Sequence, residues 1–337
     1  MAPPASAIAG DALRLACQCQ AGPYSHWPNT EDAHPMARYV TVASISRAPW
    51  DFRGNPDALL DDAAHLVHRA KLFGADIVAF PEAYPHVADG KPAPEIAETI
   101  PGPTIERMAA AAAANRLHII WPLYTREGDR VYNSSVLIGP DGKVIGAYHK
   151  IHPTIGEIEV GITPGIEARV FGTDLGRVGM AICFDLNFPE VRDGLGAAGA
   201  EMIFFSSAYR GGLQLRIWAF ELGVYVIAAI LAELGQIVDQ SGTVLAEATY
   251  EALIARRINL DRRLLHMDYN WDKMDAILEK HGPDVSFEYF TREACFTIAS
   301  ERAGLSVDEV IAEFGLERRA DYFQRANEVR RAALERR

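Results

Sequence analysis

Between residues 39 and 258 the chain alternates β-rich or apolar runs with stretches of helical spacing, and this alternation constrains the fold most. Residues 39–45 are β-rich. Asn55-Pro56 reads as an N-cap followed by proline at the first helical position, and Leu59, Leu60, Ala63, Ala64, Val67, Ala70 and Leu72 keep helical spacing until Gly74. Residues 75–80 predict a short buried strand. A second helix is predicted over 104–115, strands over 118–123 and 132–138, and a turn at Pro140-Asp141-Gly142 whose return strand is 143–149. Further on come a strand that ends at Cys183, a helix over 189–198, a strand over 201–206, a helix over 213–222, a strand over 225–231, a hairpin over 236–246 and a last strand over 253–258. Hairpins mixed with strand–helix units predict an α/β fold with a mixed sheet and helices outside. Residues 1–37 read as an N-terminal extension, 38–262 as the main domain, and 263–337 as a mostly helical, charged C-terminal extension. Two readings of that last segment stand side by side: a solvated extension and a clamp on a partner subunit.

The formal net charge is −12, which argues against nucleic acid or an anionic membrane as the main partner. Four cysteines, at 17, 19, 183 and 295, are too few for a disulfide scaffold in a chain of this length. Cys17-Gln18-Cys19 has the wrong separation for a zinc or redox pair. The first twenty residues show no basic segment before an apolar core, and no run approaches a membrane span. The expected location is the cytoplasm, where a thiol stays reduced.

The segment 178–190 is where chemistry concentrates. Val178 to Ile182 is apolar and delivers Cys183; then Asp185, Asn187, Pro189 and Glu190 switch the chain into a turn and a helix. A strand that stops at a nucleophile presents the sulfur beside backbone N–H groups that can stabilise an oxyanion. An isolated cysteine here would read as a buried strand end. Two further residues change that reading. Glu82, in Phe80-Pro81-Glu82, and Lys150, in His149-Lys150-Ile151-His152-Pro153, also stand where the chain leaves a strand. Strand ends are where open α/β sheets bind ligands. A carboxylate can take a thiol proton, an ammonium can stabilise the oxyanion, and the thiol can attack a carbonyl or nitrile carbon. Tyr84, Asn187 and Tyr209 follow these sites and are expected to line the pocket, although Asn187 also suits a cap of the next helix. His65 and His68 lack a third metal ligand, and His149 and His152 are expected to pack beside Lys150.

Taken together, Phe80-Pro81-Glu82, the run from His149 to Glu157, the run from Gly179 to Glu190 and the hairpin from Tyr132 to Gly142 resemble the carbon–nitrogen hydrolases of the nitrilase superfamily. The resemblance covers roughly residues 39–261. It implies an α-β-β-α sandwich of the carbon–nitrogen hydrolase type with N- and C-terminal extensions, a Glu82–Lys150–Cys183 triad, and no metal or other cofactor. It also implies Glu157 as a second glutamate that positions the triad, the Phe184 N–H as an oxyanion donor, and assembly into a homo-oligomer. The chain departs from the family at Ile230, where an asparagine is usual, at the short loop after it, and at Gln236.

The resemblance implies attack by Cys183, departure of ammonia or an amine, and hydrolysis of a thioester by water. Phe184-Asp185 resembles the amidase branches, whereas nitrilases commonly carry Trp and Glu after the nucleophile. Leu186-Asn187-Phe188 supplies no arginine for a substrate carboxylate, although Arg210 can approach from another loop. The expected order of substrates is therefore an amide, then a carbamoyl compound, then a nitrile. An inactive sandwich serving as an assembly scaffold is the non-enzyme alternative.

Overall fold

The computed structural model describes residues 38–87 and 89–336. Cys17, Cys19 and the extension over 1–37 lie outside the described residues.

Two six-stranded sheets form the body. The first runs β12-β1-β2-β3-β4-β5, with β1 Tyr39–Ile45, β2 Ile77–Ala79, β3 His118–Glu127, β4 Arg130–Ile138, β5 Val144–His149 and β12 Leu253–Asn259. The second runs β11-β10-β9-β8-β7-β6, with β6 Val170–Thr173, β7 Gly176–Ile182, β8 Met202–Ser207, β9 Tyr225–Ile230, β10 Gln236–Val238 and β11 Val244–Glu247. Each sheet has a parallel centre, β1-β2-β3 or β7-β8-β9, flanked by antiparallel strands. Parallel strands require crossovers, and the helices supply them.

Helices α1, Pro56–Leu72, and α3, Pro103–Asn115, cover the outer face of the first sheet; α2 is a short turn at Ala93–Ile96. Asn55 Oδ1 accepts from Ala58 N at 3.2 Å, and Pro56 opens α1, as its sequence predicts. Leu59, Ala63, Leu66, Val67 and Ala70 form its buried stripe. Helices α5, Pro189–Ala197, and α6, Leu213–Leu222, cover the second sheet, and α4, Ile155–Glu159, lies before β6. The two inner faces meet in a dry layer that includes Val42, Ile77, Ile120, Met180, Ile182, Phe204 and Ile227. The layers are α-β-β-α. No described helix is long and apolar enough to cross a membrane.

The mostly helical reading of 263–337 requires correction. The antiparallel strands β13 Arg262–His266, β14 Val285–Glu288 and β15 Cys295–Ser300 form a third sheet, packed with α7 Met274–His281 and α8 Val307–Glu313 around Leu265, Ile277, Phe296, Ile298 and Val310. Charge hid the first strand: Arg262 is buried, and its guanidinium is held by Thr297 Oγ1 at 2.8 Å and Glu288 at 2.8 Å. β15 is buried at every position, so it carries no alternation. Helix α9, Arg319–Glu335, docks at its start, where Arg319 donates to the Phe220 carbonyl at the end of α6. Residues 326–336 are exposed throughout.

The loop after Ile230 is as short as the sequence suggests. Ala232 and Leu234 take φ of +84° and +65°, a left-handed conformation that side chains disfavour. Gly235 is required there, because a Cβ would stand 2.0 Å from Ser46 Oγ.

Candidate active site

The two sheets bring the three strand ends together. Glu82 follows β2, Lys150 follows β5, and Cys183 follows β7. Lys150 is 1% exposed and its Nζ donates to Glu82 Oε1 at 2.7 Å. It also donates to Glu157, at 3.0 Å to Oε1 and 2.8 Å to Oε2. Glu157 sits in the first turn of α4, where Thr154 caps the helix and Glu157 Oε2 accepts from Thr154 N at 2.7 Å. That capping box is why a carboxylate on a loop-borne turn is held still. Gly165 completes the support. Its N–H donates to the Lys150 carbonyl at 2.8 Å, and a Cβ there would stand 2.3 Å from the His149 carbonyl.

Cys183 has φ of +48°, so the chain bends at the sulfur-bearing residue into a 3-10 turn, Cys183–Asn187, that leads to α5. A non-glycine residue in this region costs on the order of 1–2 kcal/mol. Asp185 holds the bend. It is fully buried and accepts from Ile182 N at 2.9 Å, from Tyr148 Oη at 2.7 Å and from His152 N at 2.8 Å. Tyr148 lies in β5, so this carboxylate ties the first sheet to the turn that carries the sulfur.

The thiol lies beside the Glu82 carboxylate. Burial, followed by the charge of Glu82, pushes Cys183 up to about 12, against the opposing pull of Lys150. Burial pulls the Lys150 ammonium down, but Glu82, Cys183 and Glu157 outweigh it and hold Lys150 above its ordinary value. Burial raises Glu157, yet Lys150, Thr154 N and Asn133 outweigh burial and hold it below the usual carboxylate range. At neutral pH the resting site therefore combines a neutral thiol, an ammonium and an ionised Glu157. A thiol kept neutral beside a carboxylate is deprotonated only as it attacks.

Of the expected pocket residues, Asn187 and Tyr209 meet near the sulfur. Asn187 Nδ2 donates to the Phe184 carbonyl at 3.1 Å, and Asn187 Oδ1 accepts from Gln214 Nε2 at 2.9 Å. Tyr209 hydrogen-bonds with Asn187, and burial followed by the nearby Cys183 charge pushes its hydroxyl up to about 12. Asn187 does not cap α5, whose N-cap is Phe188 without a side-chain bond. Tyr84 is a correction: it lies in the helix-facing core against Phe80 and Trp121, at 5.2 and 5.8 Å between ring centroids. Ala83 has φ of +47°, so Glu82 and Tyr84 do not share a side as alternate residues of a strand do. Arg210 pairs with exposed Glu233 at 2.6 Å. His149 stacks on Tyr132, and His152 stacks on Phe188 at 3.7 Å.

Sequence reasoning missed Asn133, Asp185 and Tyr148 as parts of the site. The available signal was Asn133-Ser134-Ser135, three polar residues at the centre of an otherwise apolar strand.

A profile of the carbon–nitrogen hydrolase family matches residues 41–263. The chain belongs to the carbon–nitrogen hydrolase family. As a carbon–nitrogen hydrolase it is 32% identical over 180 residues to the bifunctional nitrilase/nitrile hydratase NIT4A of Lupinus angustifolius, covering 48% of this chain and 51% of the relative. It is 28% identical over 229 residues to the omega-amidase NIT2 of Homo sapiens, covering 59% and 82%. The chain thus spans about half the length of the plant relative. Its fold matches an amidase from Nesterenkonia sp. with a TM-score of 0.59 at 20% identity, covering 71% of this chain and 95% of that one. It also matches Nit3 of Saccharomyces cerevisiae, a member of the nitrilase superfamily, with a TM-score of 0.58 at 22% identity, covering 66% and 91%.

Proposed function

We propose that this chain hydrolyses the C–N bond of a small amide through a thioester on Cys183. The observation that carries this reading is one carboxylate, Glu82, in contact with both the Cys183 thiol and the Lys150 ammonium. In the first step Sγ bonds to the amide carbon while its proton passes to Glu82. Lys150 and the Phe184 N–H take the developing oxyanion, a contribution of about 10²–10³ in rate for one such donor. The intermediate collapses, the C–N bond breaks, and ammonia leaves with the proton from Glu82. Water then attacks the thioester, gives its proton to Glu82, and the acid and free thiol are released.

The mouth favours an uncharged substrate, since Asn187, Gln214 and Tyr209 are neutral hydrogen-bonding groups and Arg210 is paired with Glu233. This arrangement supports a plain amide over a carbamoyl amino acid. A nitrile is the second reading, favoured by the likeness to NIT4A. Exposed Leu213 and Ile217 on α6 are consistent with a homo-oligomer.

The test is mass spectrometry of protein quenched during turnover of amide, carbamoyl and nitrile panels. The expected result is an acyl adduct on the Cys183 peptide, with ammonia and a carboxylate released from an amide. The Cys183→Ala variant keeps its unfolding temperature and loses both. Full activity in that variant, or no adduct and no ammonia from any panel, overturns the reading in favour of a scaffold.

A further inference from the structure

Asn133 is 1% exposed and lies in β4, between the strand that precedes Glu82 and the strand that ends at Lys150. Its Nδ2 donates to Glu82 Oε1 at 2.9 Å and to Glu157 Oε1 at 2.8 Å, so both amide hydrogens are spent on carboxylates. Lys150 Nζ donates to the same two oxygens, at 2.7 and 3.0 Å. The four atoms close a ring in which two donors alternate with two acceptors. Asn133 Oδ1 is buried without a partner. Flipping the amide would aim that oxygen at two carboxylates, so the chemistry fixes the orientation. A buried, unpaired carbonyl oxygen is costly, and here the two donated bonds offset it. Meanwhile Glu82 Oε2 accepts only one backbone bond, from Ala208 N at 3.1 Å.

Resting on the proposed role of Glu82 as base, we infer that Asn133 is a positioning residue that selects which Glu82 oxygen takes the thiol proton. With two donors on Oε1, that oxygen has no room for a further proton. The proton from Sγ goes to Oε2, and from Oε2 it passes to the departing nitrogen. Glu157 keeps the amide in place from the other side. The second glutamate thereby anchors the two donors and leaves the proton to Glu82.

Among the described residues, the titratable groups around Glu82 include Lys150 from the end of β5, Cys183 from the end of β7, Tyr124 from β3 and Tyr209 from the loop after β8, and Glu157 from α4 shares the Asn133 and Lys150 donors with it. Of these, only Lys150 is positive. Removing a neutral donor takes a hydrogen bond from the Glu82 carboxylate, so the acid limb of attack by Cys183 moves to higher pH.

The experiment follows the rate at which iodoacetamide alkylates Cys183 from acid to mild alkali, read on the mass of the Cys183 peptide so that other thiols do not count. It compares the native chain with Asn133→Ser and with the isosteric Asn133→Asp. The expected result is an acid limb that moves up by about one pH unit in Asn133→Ser, and further in Asn133→Asp, where a third carboxylate joins the ring. A rate that falls equally at every pH, with the limb unmoved in either folded variant, overturns the inference and leaves Asn133 as packing. Absence of any acid limb in the native chain instead overturns the role of Glu82 itself, so the two failures are distinguishable. Thermal unfolding identifies a variant that does not fold, and Asn133→Ser, which adds no charge, then carries the comparison.

Discussion

The two sheets contribute unequal halves to the site. The first sheet and the segment that follows it supply every charge: Glu82, Lys150 and Glu157, cross-linked through Asn133. Each carboxylate there has several donors, and the backbone around Lys150 is pinned by Asn133 and Gly165. The second sheet supplies the sulfur and, near it, the neutral pair Asn187 and Tyr209, on a bent chain whose Cys183 is in a left-handed conformation. One half is thus a prearranged field, and the other presents the reacting atom to it. The sulfur and the charges around it thus belong to separate sheets, joined by the bonds of Asp185 to Tyr148 and His152 N, by the bond from Ala208 N to Glu82, and by apolar packing.

Breaking the charged half should have the largest effect. Lys150→Met is expected to lower kcat by about 10²–10³ while leaving the Cys183 alkylation site in place. Burst-phase and steady-state rates measure this, and a loss below tenfold would mean that the ammonium does not hold the oxyanion. Next comes the joint between the halves. Tyr148→Phe leaves Asp185 one donor short in a buried position, and the expected cost is about 1–3 kcal/mol of stability, seen in denaturant unfolding, with a fall in activity. Unchanged activity would show that the turn at Cys183 holds its place without the Tyr148 hydroxyl, through the remaining bonds from Ile182 N and His152 N.

The smallest effect sharpens the comparison through pH. An acidic group whose folded value is raised keeps its proton where the unfolded chain has lost it. The sulfur should therefore show no rise in alkylation near the ordinary thiol value of about 8.5, because Cys183 is pushed up to about 12. By the same sign, stability should fall as pH climbs above about 8.5, since the unfolded thiol then binds fewer protons than the folded one. Cys183→Ser removes that slope; urea unfolding at neutral and alkaline pH reads it, and equal slopes in the two proteins would contradict the burial of the thiol.

The convergence of Glu82, Lys150 and Cys183 was legible in the sequence because each interrupts an apolar run at a strand end, where a polar or reactive group stands out. Asn133 was not, since an asparagine inside a strand reads as a neutral flaw until its two carboxylate partners arrive from 51 residues before and 24 after. Tyr84 misled for a conformational reason: it follows Glu82 closely in sequence, but the positive φ of Ala83 turns the chain between them. The sandwich followed from alternating helices and strands, with its two-sheet form implied by the family resemblance. The third sheet escaped notice because its first strand buries an arginine whose partners lie on two other strands.

The dry layer between the sheets has a consequence beyond holding them together. Met180, Ile182 and Phe204, from the sheet that carries Cys183, pack there in one cluster with Ile77 and Ile120, from the sheet that carries Glu82. If the proposed proton transfer from Cys183 to Glu82 holds, the bulk of this filling bears on the separation between the two groups. Conservative trimming of that filling, such as Phe204→Leu, would change reaction rate more than binding. A scan of activity across the whole chain would trace a vein of sensitive positions running from the mouth into the interior, following the gap rather than the pocket.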